Sequence, residues 1–230
     1  MKIDFCFFHI EKCAGSSLRI MLYEYFKNIF DIQTIYIPEK YNVKQNLMNE
    51  TDLNFFKDKN YKILLCHCNF DQINVTDSFS KDCFSITCVR EPLYRFLSHY
   101  YFFKNNEKIK FAQLTDEQII PMLKDANLLT KRLSGNKNNL DIALQNVKCF
   151  NCVIIYEQLE TDVALMNELL NKKTNANLKI DIIYKNVHNL YSNEDYQRLK
   201  QFEKYFEKDI ELYNTILNMN AKDRFRLEHS

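Results

Sequence analysis

Apolar runs and helical stripes alternate along the chain from its first residues. Residues 2–10 form an apolar run that predicts a strand, and apolar side chains then recur at helical spacing from Leu18 to Ile29. Further strands are predicted at 33–37, 61–66, 83–89 and 150–156, and further helices at 43–58, 93–104, 115–133 and 158–172. This alternation predicts an α/β fold, in which a mainly parallel central sheet is flanked by helices and ligands bind at the carboxyl ends of the strands.

A last long helix is predicted to begin near Ser192. Ser192 and Asp195 have the spacing of a capping box, and the apolar residues from Leu199 to Leu217 form one stripe that should pack on the core. We expect one α/β domain over residues 1–226, followed by a tail at 227–230 that resembles an expression-vector remnant.

Composition and charge narrow the function classes. The chain has 230 residues, of which 46% are hydrophobic, so it can bury a substantial core. Its 31 Lys and Arg residues against 30 Asp and Glu residues argue against a nucleic-acid partner but allow a local anion pocket. No apolar run approaches the roughly 20 residues that span a bilayer, and the first residues do not form a signal peptide. We therefore expect a cytoplasmic protein.

The chain contains eight cysteines, whose spacing bears on metal binding. Cys66-x-Cys68 and Cys149-x-x-Cys152 could together supply four zinc ligands, but neither pair has the spacing of a zinc finger or ribbon. Because free cysteine is readily buried in apolar surroundings, we interpret these residues as reduced core cysteines and expect no metal.

The loop after the first strand contains one of only two glycines in the chain, the other being Gly135. Lys12, Gly15, Ser16 and Ser17 stand there at a helix N-terminus, where unpaired N–H groups and the helix dipole attract anions. The pattern predicts a P-loop-like strand–loop–helix, although a plain strand–helix turn with a surface lysine is the alternative. Because the lysine precedes the glycine, a P-loop NTPase is disfavoured.

A second anion-binding element follows the strand at 83–89. Arg90 directly follows this strand, Pro92 suits the first turn of the next helix, and Ser98 lies about two helical turns further on. Arg90 should lie at the same sheet edge as Lys12, and arginine suits bidentate recognition of a terminal phosphate. Two such elements fit a ligand that has phosphates at both ends of a nucleoside.

Four segments together resemble sulfotransferases that use 3′-phosphoadenosine 5′-phosphosulfate (PAPS). Residues 9–18, HIEKCAGSSL, are similar to the 5′-phosphosulfate loop of that family, and residues 89–100, VREPLYRFLSHY, are similar to its 3′-phosphate motif. Residues 127–135, NLLTKRLSG, and 153–159, VIIYEQL, resemble segments of the carbohydrate branch, which is similar to heparan sulfate 2-O- and 6-O-sulfotransferases. The four segments stand in the order of the family.

The resemblance implies which residues bind PAPS, and it implies no metal. The implied cofactor-binding residues are Lys12, Cys13, Ala14, Gly15, Ser16, Ser17, Arg90, Ser98 and Arg132. In the third segment the basic residue is shifted, so that Lys131 is the alternative to Arg132. Glu11 departs from the family pattern, which has proline there, and introduces a carboxylate beside the predicted anion loop.

The resemblance also implies the catalytic residues. Residues 65–70, LCHCNF, follow a predicted strand and are similar to the family segment whose histidine is the base, which makes His67 the predicted base. A histidine pKa near 6.5 suits this role. Lys12 is expected to stabilise the bridging oxygen of the leaving nucleotide. The weaker candidates for the base are His9, His99 and His188.

These observations together predict a PAPS-dependent sulfotransferase, which moves a sulfuryl group to a hydroxyl of an acceptor. The expected acceptor is a carbohydrate. Two alternatives stay open: a nucleotide-dependent kinase on a related fold, which the position of Lys12 disfavours, and a non-catalytic nucleotide-binding scaffold, for which Glu11 is the warning sign.

Overall fold

The central feature of the computed structural model is one parallel sheet; the structure describes residues 3–36, 61–66, 70, 79–103, 109–184 and 191–227. The strands are β1 Ile3–Phe8, β2 Ile35–Tyr36, β3 Ile63–Cys66, β4 Phe79–Val89 and β5 Cys152–Ile155. They form a five-stranded sheet in the order β2-β3-β1-β4-β5, and every pairing of neighbouring strands is parallel. The predicted α/β fold with a mainly parallel sheet is confirmed.

Helices flank this sheet. They are α1 Gly15–Phe26, α2 Pro92–Phe103, α3 Asp116–Ile119, α4 Leu128–Leu133, α5 Leu140–Val147, α6 Leu159–Thr174, α7 Asn193–Lys200, α8 Glu207–Leu217 and α9 Ala221–Arg224. Turns of 3₁₀ helix lie at Ile32–Thr34, Phe111–Gln113, Ile120–Asp125, Tyr156–Gln158 and Glu203–Phe206.

Two hydrophobic clusters hold these elements. The larger surrounds the sheet: β1 is buried along its length, as a strand covered on both faces must be, and α1 packs its apolar stripe from Leu18 to Phe26 against it. The smaller cluster joins α2 to α7, with Phe96, Phe111 and Phe206 in edge-to-face contact at its centre.

The predicted helix at 115–133 is wrong as one element. The structure divides it into α3, the 3₁₀ turn Ile120–Asp125 and α4. Pro121 lies in that turn, and proline in a helix interior removes a hydrogen bond and clashes with the preceding turn. The chain restarts at α4, whose Leu129 and Thr130 N–H groups donate to the buried Asp209 carboxylate at 2.9 and 2.7 Å.

The predicted long helix after Ser192 is also divided. Its capping box is confirmed, but the chain forms α7, the 3₁₀ turn Glu203–Phe206 and then α8. The single apolar stripe serves two cores: Leu199 and Phe206 belong to the smaller cluster, whereas Leu212 belongs to the cluster around the sheet. The 3₁₀ turn Glu203–Phe206 lies between the part of the chain that packs in the smaller cluster and the part that packs around the sheet.

Other differences are local. Helix α5 was not predicted, and the predicted strand at 33–37 is reduced to Ile35–Tyr36. The predicted helix at 43–58 lies outside the described residues. Within the described residues, no helix combines the length and the hydrophobicity that a membrane crossing requires.

A buried ion pair fastens the last described helix to the sheet. The Asp162 carboxylate, which is fully buried, accepts the Ile155 N–H at 2.8 Å and both terminal nitrogens of Arg224 at 2.6 and 3.1 Å. The contact joins α6, the end of β5 and α9. Removing one partner of such a pair leaves an uncompensated buried charge.

We predict that Arg224→Met lowers the free energy of unfolding by about 3–5 kcal/mol, because Asp162 then stays buried without its cation. Urea unfolding followed by circular dichroism measures the change. The control is Lys179→Ala, which breaks the exposed pair between Lys179 and Asp181 and should cost at most about 1 kcal/mol. Equal losses in the two variants would contradict the prediction.

Candidate anion-binding site

The loop between β1 and α1 has an unusual backbone. Lys12 has φ 66° and Ala14 has φ 55°, both in the left-handed region, where a residue with a Cβ atom costs roughly 1–2 kcal/mol. Helix α1 begins immediately afterwards at Gly15, and among the described residues no side chain caps it. Its first N–H groups and the positive end of its dipole therefore face the loop, as in known phosphate sites.

Gly15 is required by its neighbour His9. A Cβ atom added to Gly15 would lie 1.4 Å from His9 Nε2, which is impossible without displacing the imidazole. The His9 ring is buried and stacks on Phe7, with the ring centroids 5.7 Å apart and the planes 11° from parallel. From the sequence we predict that the missing side chain lets an anion approach the backbone. The structure shows a different reason for the glycine, which is that the His9 ring occupies the space of a Cβ atom.

The second glycine ends a helix. Gly135 has φ 65°, its N–H donates to Arg132 O at 3.4 Å, and the next N–H, of Asn136, donates to Lys131 O at 2.8 Å. This is a Schellman motif, in which glycine accepts the left-handed conformation that ends α4.

Arg90 lies at the end of β4 and contacts the loop directly. Its Nη1 donates to Lys12 O at 3.3 Å, its Nη2 donates to the Tyr191 hydroxyl, and its guanidinium lies 4.2 Å from the centre of the Tyr156 ring. The side chain is 8% exposed, and its buried Nε has no hydrogen-bond partner among the described residues. The structure thus brings Arg90 and Lys12 together and leaves one arginine donor for another group.

Lys12 is the second cation of the site. Burial, and then the positive charge of Arg90, lower its pKa to about 8, while Cys13 acts weakly in the opposite direction. Its ammonium lies 4.0 Å from the centre of the half-exposed Phe102 ring, at the far end of α2. A partly desolvated cation beside a second cation is a strong attractor for an anion.

The predicted hydroxyl donors lie on two different helices. Ser16 and Ser17 lie in the first turn of α1, with Ser17 buried and Ser16 half-buried. Ser98 is half-buried on α2, and no hydrogen bond among the described residues joins it to Lys12 or Arg90. Burial raises the pKa of Cys13 to about 12, so this loop residue is a neutral thiol.

Glu11, the departure from the family pattern, is paired with Arg132. Arg132 Nε donates to Glu11 Oε2 at 3.1 Å, and Arg132 Nη2 donates to Glu11 Oε1. The two side chains are 12% and 11% exposed. Arg132, which was predicted to bind the cofactor, thus faces the carboxylate of the same loop, and the charge of Glu11 is compensated locally.

Two of the candidate histidines lie outside the residues that the structure describes. His67, the predicted base, and His188 lie outside the described residues; β3 ends at Cys66. His99 lies on α2 against Phe103, and burial, followed by the charge of Arg95, lowers its pKa to about 4, so it is neutral at pH 7.

The described cysteines do not form a metal centre. Cys152 is buried in β5 and Cys149 is exposed, while Cys68 lies outside the described residues. In the part of the chain that the structure describes, no three His, Cys, Asp or Glu side chains are grouped to hold a metal ion.

Two aromatic residues of the site, Tyr156 and Tyr191, were missed from the sequence. Both contact the Arg90 guanidinium. Tyr156 had a sequence signal, since it is the last residue of the strand predicted at 150–156. Tyr191 lies 101 positions from Arg90, so nothing local could indicate the contact.

A groove of about 410 Å³ lies beside Tyr156 at the carboxyl end of β5. Across it, the Tyr184 hydroxyl donates to Glu160 at 2.7 Å. Its remaining lining residues are Glu157, Gln158, Leu159 and Thr161.

No protein-family model matches the chain, and no curated protein matches it. Among solved structures, mouse sulfotransferase SULT7A1 complexed with PAP is similar, with 12% sequence identity and a TM-score of 0.43 over 100% of this chain and 73% of that chain. A likeness of this degree carries no weight for function.

We predict that Gly15→Ala lowers the free energy of unfolding by about 1–3 kcal/mol, because the new methyl group must displace the His9 ring. In Gly15→Ala/His9→Ala the methyl group has room, so the double variant should lose less than the sum of the single losses. Thermal or urea unfolding of the wild type, Gly15→Ala, His9→Ala and the double variant gives the coupling energy between the two residues. Strict additivity would show that the two residues do not meet.

Proposed function

We propose that the protein is a sulfotransferase that transfers a sulfuryl group from PAPS to a hydroxyl of an acceptor. The observation that carries the proposal is the hydrogen bond from Arg90 Nη1 to Lys12 O, which joins the ends of β4 and β1 at one sheet edge. Two cationic side chains beside an uncapped helix suit a ligand with two separated anionic groups.

The chemistry of the donor set fits a bisphosphorylated nucleotide. The loop from Lys12 to Ser17 would hold the 5′-phosphosulfate through backbone N–H groups, hydroxyls and the Lys12 ammonium. Arg90, whose Nε has no hydrogen-bond partner among the described residues, and Ser98 would hold the 3′-phosphate. The proposal includes no metal, because the sulfuryl group has less charge to neutralise than a phosphoryl group.

The proposed reaction forms a bond between the acceptor oxygen and sulfur and breaks the bond between sulfur and the 5′-phosphate oxygen. Lys12 would stabilise the negative charge that develops on this leaving oxygen. His67 would accept the proton of the acceptor hydroxyl, as a group with a pKa near neutrality can. The loop, Arg90 and Ser98 contribute by orientation, which is the larger part of catalysis in such transfers.

A carbohydrate is the proposed acceptor. This part of the proposal is supported by the resemblance of residues 127–135 and 153–159 to the carbohydrate branch. The half-exposed ring of Phe102, which lies against the Lys12 ammonium, adds an apolar face beside the reacting end of the site, on which a sugar ring could pack.

Calorimetric titration with 3′-phosphoadenosine 5′-phosphate (PAP) tests the proposal. We expect binding to the wild type and a loss of roughly 10- to 150-fold in Lys12→Ala and in Arg90→Ala, since each removes charge-assisted hydrogen bonds worth about 1.5–3 kcal/mol. In His67→Ala, PAP binding should persist while sulfate transfer is lost.

Matched controls are Lys27→Ala and Arg198→Ala, which remove the same charges where Lys27 pairs with Glu24 and Arg198 pairs with Asp116. Both should bind PAP as the wild type does. No PAP binding by the wild type would overturn the proposal, and Mg²⁺-dependent ATP hydrolysis would favour the kinase alternative.

The pKa of Lys12 leads to a second prediction. With a pKa of about 8, this group is charged below pH 8 and neutral above it, whereas the phosphates of PAP are already ionised at pH 7. Raising the pH from 7 to 9 should therefore weaken PAP binding about tenfold. Lys12→Arg keeps its charge and should abolish this dependence. A flat wild-type profile, or the same decline in Lys12→Arg, would contradict it.

A further inference from the structure

The ion pair between Glu11 and Arg132 joins the anion loop to α4. It joins residues 121 positions apart through two hydrogen bonds in the parallel, fork-like arrangement that makes arginine–carboxylate pairs strong and directional. Both side chains are largely buried, so solvent screens the pair less than it would a surface contact.

Arg132 is attached to a well-anchored helix. At the start of α4, the buried Asp209 carboxylate accepts the N–H groups of Leu129 and Thr130, and the Asp209 N–H donates to Asn127 Oδ1 at 3.1 Å. At the other end, the Schellman motif of Gly135 closes the helix. The helix that carries the Arg132 side chain is therefore fixed at both of its ends.

The loop residue that Arg132 contacts directly precedes the strained part of the backbone. Glu11 is followed by Lys12 and, two residues later, by Ala14, both left-handed. Arg90 contacts the Lys12 carbonyl from the β4 side. Two arginines from different elements thus hold adjacent residues of the loop, and left-handed residues with side chains persist only where their surroundings hold them.

We propose that Arg132 is a positioning residue, which acts through Glu11 to hold the loop in its anion-binding conformation and does not itself contact the donor. For its ligand this inference rests on the proposed function. It also gives Glu11 a role: the carboxylate that departs from the family pattern anchors the loop, and Arg132 cancels its charge so that Lys12 and Arg90 still set the local potential.

Glu11→Ala distinguishes this role from direct binding of the donor by Arg132, because the two roles predict opposite changes in the affinity for PAP. If Arg132 positions the loop, losing the carboxylate should weaken PAP binding roughly tenfold and speed hydrogen exchange of the backbone amides of residues 11–17 in the nucleotide-free protein. If Arg132 binds the donor, the same change removes a competing negative charge, and PAP binding should become tighter. The matched control is Asp116→Ala, which removes a carboxylate from the arginine pair of Arg198 and should change neither measurement.

Arg132→Lys keeps the fold and the charge but loses the fork, and it should give an intermediate increase in loop exchange. Hydrogen exchange needs no ligand, so it tests the inference even if the wild type fails to bind PAP, which would defeat only the proposed function. Unchanged exchange in Glu11→Ala, or tighter PAP binding, would overturn the positioning role.

Discussion

Parallel pairing of β1 with both β3 and β4 is the constraint on which the site depends. In a parallel sheet all strands end at the same edge, and helices on both faces leave that edge as the place where polar groups can reach a ligand. The residues that follow β1, β4 and β5 therefore meet: Arg90 lies between the Lys12 carbonyl and the Tyr156 ring.

Positive charge accumulates at this edge, and each cation is stabilised differently. Arg90 is held by a carbonyl, a tyrosine hydroxyl and an aromatic face, none of which neutralises it. Arg132 is neutralised by Glu11. Lys12 is partly desolvated and repelled by Arg90, and both effects disfavour its charged form. The arrangement keeps uncancelled charge where the uncapped end of α1 also attracts anions.

Buried carboxylates attach the helical layer to this framework. Asp209 on α8 accepts the first N–H groups of α4, and Asp162 on α6 accepts the last N–H of β5 together with Arg224. Each carboxylate satisfies backbone N–H donors that would otherwise be buried without partners. Burying the carboxylate costs desolvation free energy, which only complete hydrogen bonding offsets. The position of Arg132, and through it of the loop, follows from the first of these contacts.

Local spacing determined much of this structure: β1, α1, α6, the capping box of Ser192 and the shared edge of Lys12 and Arg90 follow from the sequence, because apolar periodicity and strand direction are recorded in neighbouring residues. The breaks in the two long predicted helices do not, since one apolar stripe can serve two cores. Nor do the partners of Glu11 and Arg90, which come from distant segments. Only the tertiary structure decided that Gly15 makes room for His9, because that contact depends on how the loop folds back.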